Sequence, residues 1–83
     1  MVRGVVVVSD AEVTKLLTDP MRRTILTFLS GRQMTETQLS HILGLTEAAV
    51  GHHLKLLGEA GLIRVVRRVP ETHGIIQKFY RLE

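Results

Sequence analysis

The stretch "TETQLSHILGLTEAAVGHHLKLLGEAGLI", residues 35–63, decides how this chain folds. Thr35 and Gln38 have the three-residue spacing of a capping box, so a helix is expected to start there. Leu39, Ile42 and Leu43 supply its apolar stripe and Gly44 ends it. Only two residues later Thr46 is placed to cap a second helix, on which Val50, Leu54 and Leu57 point inward. Two short helices joined by a tight glycine-containing turn are the pattern of a helix-turn-helix, here residues 35–60.

Working outward, "SDAEVTKLL" places Ser9 and Glu12 at capping-box spacing for an earlier helix. Asp19-Pro20 ends that helix and opens another, with Asp19 as N-cap and Pro20 in the first turn. Met21, Ile25, Phe28 and Leu29 form its buried stripe, and Gly31 closes it. Before these helices, "GVVVV" at 4–8 is β-branched and uncharged, which favours a short strand that must be paired or covered. After Gly61, "LIRVVRRV" and "IIQKFYRL" alternate as strands on either side of the turn-rich "PETHG". The expected fold is therefore mainly α with a small β-hairpin: a winged helix-turn-helix in a single domain, 1–83, with the wing at 62–82.

His52 and His53 look at first like a metal or catalytic pair. Neighbours on a helix stand about 100° apart and do not face each other, so the two cannot act on one atom. Position 53 shares the side of Val50, Leu54 and Leu57, which puts His53 at the edge of the core with one nitrogen hydrogen-bonded. Position 52 shares the opposite side with Ala48 and Lys55, the face a recognition helix turns toward a DNA major groove.

The 83 residues carry a net charge of +3, no cysteine and 45% hydrophobic residues. Lack of cysteine excludes disulfides, thiolate metal sites and cysteine nucleophiles. A chain this short buries roughly 60–65% of its unfolded surface, so association with a second copy would help it. The apolar run at 4–8 is too short to span a membrane or serve as a signal peptide, and a cytoplasmic location is expected. No phosphate loop, carboxylate pair or activated nucleophile is visible, so no enzyme is expected. For a metal ion only His41 and His73 remain, on other elements, and neither a metal nor any other cofactor is expected. Positive charge gathers instead in the wing: Arg64, Arg67, Arg68, Lys78 and Arg81 stand against Glu71 alone, which points to a polyanionic partner.

At this level of detail "DPMRRTILTFL", the helix-turn-helix stretch ending "VGHHLKLLGEAGLI", and a basic hairpin ending "FYRL" resemble the ArsR-type winged-helix transcription regulators, over about Asp19 to Leu82. The lead-in "GVVVVSDAEVTKLL" is similar to that of archaeal members. The resemblance implies a homodimer on operator DNA, with the second motif helix in the major groove and the wing on backbone or minor groove. Arsenic and antimony sensors of the family carry Cys-x-Cys where this sequence reads Thr35-Glu36-Thr37, and hydroxyls do not bind soft thiophilic ions. The chain also ends at Glu83 without the C-terminal helix on which other members build dimer contacts. Any dimer surface is then expected from Val5, Val6, Val7, Val8, Val13, Leu16 and Leu17, within the strand and helix at 1–17.

For double-stranded DNA the candidate contacts are Gln38, Thr46, Glu47, Ala48, Ala49, Gly51, His52 and Lys55 in the motif, with Arg64, Arg67, Arg68, His73 and Lys78 in the wing. Alanine suits thymine methyl groups, glutamate accepts from cytosine N4, and lysine reaches guanine or a phosphate. Gly51 inside a helix costs roughly 1 kcal/mol relative to alanine. Its compensation is a close approach, either to the preceding helix or to DNA. Two other readings stand beside the sequence-preferring regulator. A winged-helix protein-interaction module has no need of so basic a wing, and a general architectural nucleic-acid binder would show weak sequence preference. The scarcity of aromatic residues argues against single-strand binding.

Overall fold

The computed structural model describes residues 9–83, so the expected strand at 4–8, with Val5, Val6, Val7 and Val8, lies outside the described residues. Two helices come first, α1 (Asp10–Leu16) and α2 (Pro20–Leu29). A two-residue strand β1 (Met34–Thr35) leads straight into α3 (Glu36–Leu43), followed by α4 (Glu47–Glu59). The chain ends in β2 (Ile63–Pro70), a single 3-10 turn at Thr72–Gly74 and β3 (Ile76–Leu82). This is the expected winged helix-turn-helix, with one addition. The hairpin is not alone: β1 pairs antiparallel with β3 through Met34–Tyr80 and Thr35–Phe79, making a three-stranded sheet in the order β1-β3-β2.

The caps sit where the side-chain chemistry calls for them. Asp19 Oδ1 accepts from the Met21 N–H at 2.8 Å, and Thr46 Oγ1 accepts from the Ala49 N–H at 3.1 Å. At α3 the box is reciprocal: Thr35 Oγ1 accepts from the Gln38 N–H, and Gln38 Oε1 accepts from the Thr35 N–H. At α1 the hydroxyl of Ser9 accepts from the Glu12 N–H, but the Glu12 carboxylate takes the Ser9 hydroxyl in place of its backbone N–H. Each satisfied N-cap contributes about 1 kcal/mol. Gly44 ends α3 at φ 66°, a left-handed conformation that an L side chain would strain, and the tight turn to α4 depends on it.

The core is one cluster. Ile25 and Leu29 from α2, Leu39 from α3, and Val50, Leu54 and Leu57 from α4 close over Met34 and Ile63 of the sheet. Complete burial of each such side chain stabilises by roughly 1.5–3 kcal/mol. Ile42 does not belong to it. This residue, expected on the buried stripe of α3, is 53% exposed. Of the stripe on α3, Leu39 enters the core and the half-buried Leu43 packs against it.

A β-bulge shapes the wing. Val65 pairs with Tyr80 and Arg67 with Phe79, leaving Val66 as the extra residue. Because successive side chains alternate between faces, one extra residue exchanges the faces for everything beyond it. Without the bulge, Arg67 would follow Ile63 and Val65 onto the face of Tyr80. With it, Arg68 takes that face, directly opposite Lys78, and Arg67 turns to the other side with Phe79.

Candidate nucleic-acid interface

The outward side of α4 presents Glu47, Ala48, His52, Lys55 and Glu59, all exposed, while Thr46 at the cap is exposed with its hydroxyl bound to the helix backbone. Of these, Ala48, His52, Lys55 and Glu59 make no side-chain hydrogen bond or ion pair among the described residues, whereas Glu47 accepts one from Thr37. Ala49 and Gly51 are only partly accessible. For Gly51 the reason is visible: a Cβ built there would collide with the Glu36 carboxylate, which lies across the glycine from α3. Of the two close approaches that could justify a glycine here, the structure contains the one to the preceding helix. Gln38 is exposed, but its side-chain oxygen is committed to the α3 cap.

The two histidines divide as their 100° separation requires. His52 is exposed, and His53 is half-buried with Nδ1 accepting from Arg22 Nε at 3.2 Å. Arginine is an obligate donor, so Nδ1 carries no proton and the imidazole is neutral. Burial pushes the His53 pKa below its ordinary value; Arg22 and His52 act in the same direction and Asp19 opposes them. Arg22 also donates through Nη1 to the Leu16 carbonyl at 3.1 Å and lies 3.8 Å from Asp19 Oδ2. One guanidinium thus joins the end of α1, the start of α2 and α4.

The wing cations are not equivalent. Arg64 lies 3.5 Å from the Glu83 carboxylate, and the Arg67 guanidinium sits 4.0 Å over the Phe79 ring. Arg68 and Lys78 stand opposite each other across the hairpin, and neither has a carboxylate within ion-pair distance among the described residues. His73 occupies the tip at φ 69°, exposed.

Between this face of the wing and the N-terminal ends of α3 and α4 lies an open cleft of about 560 Å³, lined by Glu36, Glu47, Glu71, Ile76, Lys78 and Tyr80 among others. Burial raises the Glu36 pKa, Glu47 raises it further and Lys78 lowers it. The Tyr80 hydroxyl is raised by burial and by Glu36, against a lowering by Arg68. Across the mouth of the cleft, Thr37 Oγ1 donates to Glu47 Oε1 at 2.8 Å and accepts from Gln77 Nε2 at 3.4 Å. Glu36, Thr37, Gln77, Tyr80 and Arg22 are absent from the residues expected from sequence. Gly51 hinted at Glu36, as a glycine inside a helix that needed a close neighbour, and the hydrogen bond expected at His53 hinted at a partner there, which is Arg22.

Thr35 and Thr37, which stand where the sequence resemblance would put a thiolate pair, are not available to a soft metal. The Thr35 hydroxyl is buried and spent on the α3 cap, and that of Thr37 is bound to Glu47. Among the described residues no group of three or more His, Cys, Asp and Glu side chains is arranged to hold a metal ion. No helix among them is long and apolar enough to cross a membrane.

Residues 19–65, more than half of the chain, match the family model described as "Bacterial regulatory protein, arsR family". Over 51 residues the chain is 35% identical to the transcriptional repressor SdpR of Bacillus subtilis, covering 61% of this chain and 57% of that protein. The chain thus spans little more than half the length of that relative. Reduced HlyU from Vibrio cholerae superposes with a TM-score of 0.72 at 26% identity, covering 87% of this chain and 70% of that one. A homodimeric winged helix-turn-helix DNA-binding domain of Mb0332 from Mycobacterium bovis, a possible ArsR-family regulator, does so with a TM-score of 0.71 at 22% identity. It covers 93% of this chain and 74% of its own. Sequence match and superposition agree, and the chain belongs to the ArsR family of winged helix-turn-helix DNA-binding transcription regulators, which are not enzymes.

Proposed function

We propose that this protein binds double-stranded DNA with sequence preference, α4 entering the major groove and the wing lying on backbone or minor groove. The observation that carries the reading is the shared surface of two unlike parts. Glu47 at the start of α4 and Lys78 of the wing line one cleft, and Arg68 stands directly opposite Lys78. Like charges directly opposite each other destabilise a sheet. Two cations left so, without a carboxylate partner among the described residues, are offset when a phosphate lies between them. Glu47, His52 and Lys55 are the base-reading side chains, with Ala48 available to a thymine methyl. Arg68 and Lys78 supply the sequence-independent attraction, joined by His73 at the tip.

The functional unit in this reading is a homodimer built through the N-terminal segment with Val13, Leu16 and Leu17, all three half-buried, on or just after a helix that has no fully buried residue. The homodimeric state of the Mb0332 domain supports it. Two-fold symmetry then sets two half-sites about 34–36 Å apart. Selection of genomic duplex fragments by the purified protein tests both parts. Enrichment of pseudo-palindromes with half-sites one helical turn apart is expected, and absence of any duplex binding at low salt would overturn the reading.

A further inference from the structure

We infer that Thr37 is a positioning residue for base readout: its hydroxyl holds the Glu47 carboxylate in the orientation that selects a cytosine. The inference rests on the DNA-binding reading above and names one determinant of its specificity. Glu47 is the first residue of α4 and is exposed. An unrestrained glutamate there would sample many rotamers and lose that freedom on binding, which weakens the contact and blurs its direction. Instead, Oε1 accepts the Thr37 hydroxyl at 2.8 Å from the first turn of α3. The same hydroxyl accepts from Gln77 Nε2 of β3 at 3.4 Å, so the wing braces the helix that braces the reader. A hydroxyl has one proton to give and two lone pairs to receive. Here the proton goes to Glu47, and a lone pair receives the Gln77 amide.

The remaining carboxylate oxygen, Oε2, is an acceptor only. Of the four major-groove base edges, guanine shows N7 and O6 and thymine shows O4, all acceptors that repel it. Adenine sets its N6 donor beside the N7 acceptor. Cytosine alone offers the N4 donor with no acceptor next to it on the same base. The Glu36 carboxylate, packed over Gly51 one turn further on, keeps α3 and α4 in close register at this end. The tether therefore aims a donor-seeking oxygen from a fixed point.

The test measures affinities for a selected site and all its single-base variants, at several salt concentrations, for the full chain and three variants. Glu47→Gln locates the base pair Glu47 reads, because glutamine moves the preference there from cytosine toward adenine. At that pair the unaltered protein should discriminate by about tenfold or more. Thr37→Val keeps shape and branching but removes the hydroxyl. It should reduce the discrimination at least threefold at that pair and at no other, with salt slope and melting temperature unchanged. Thr37→Ser restores the hydroxyl and should restore the preference. If Thr37→Val discriminates as well as the unaltered protein, or Glu47→Gln shifts no position of a site that is bound, the inference is overturned while DNA binding stands. If no duplex is bound at all, the reading beneath it fails instead.

Discussion

At the scale of single residues, His53 and Arg22 show how a helix face becomes a connection between elements. His53 is neutral because the Arg22 N–H points at Nδ1, and burial favours that state. Its folded pKa lies below the ordinary 6.5, so the unfolded chain takes up the proton first. The stability this residue contributes is therefore present above about pH 6.5 and lost as pH falls through the folded pKa. His53→Gln keeps an acceptor for Arg22 and does not titrate. Unfolding by urea at pH 7.5 and pH 5.5 should show the unaltered protein losing more stability on acidification than His53→Gln. An equal loss would mean that the Arg22 contact is not coupled to the proton. The division of labour between His52 and His53 was legible in the sequence, because it follows from helical geometry and from where Val50, Leu54 and Leu57 point. The identity of the partner was not: Arg22 lies thirty-one positions earlier, and no local pattern announces it.

At the scale of elements, what is local was readable and what is paired across the chain was not. The caps at Asp19, Thr35 and Thr46 depend on neighbours two or three residues away, and all three form. Strand β1 is two residues long and exists only because β3 lies beside it. The bulge at Val66 likewise cannot be seen until β2 meets β3, yet it decides that Arg68 and not Arg67 shares a face with Lys78. Ile42 misled because helical spacing gives a shared face but not what covers it, and Ile42 stands 53% exposed beside the buried Leu39. Gly51 is the contact between α3 and α4 made visible. Alanine in a helix interior is favoured over glycine by about 1 kcal/mol, but here the added methyl must displace the Glu36 carboxylate. A double-mutant cycle by urea unfolding should find Gly51→Ala at least ~0.5 kcal/mol more favourable in a Glu36→Ala background than alone. Equal effects in both backgrounds would show that Glu36 does not constrain the position.

For the whole molecule, the polar helix face and the basic wing meet where Glu47 and Lys78 line one cleft. The sequence disclosed the charge excess of residues 62–82 but treated its members alike. The structure separates them, with Arg64 paired to Glu83, Arg67 stacked on Phe79, and Arg68 beside Lys78 with no carboxylate at ion-pair distance among the described residues. In the proposed complex with DNA, the wing and α4 contribute different kinds of binding energy. The most direct measurement is affinity for a selected site and its single-base variants, across a salt series, for Arg68→Ala and His52→Ala. Arg68→Ala should weaken binding to every sequence alike and lower the salt slope by about 0.9 for the lost phosphate contact. His52→Ala should leave that slope in place and change which bases are preferred, by about 1–3 kcal/mol at the contacted pair. A change of base preference in Arg68→Ala, with preference intact in His52→Ala, would contradict the account.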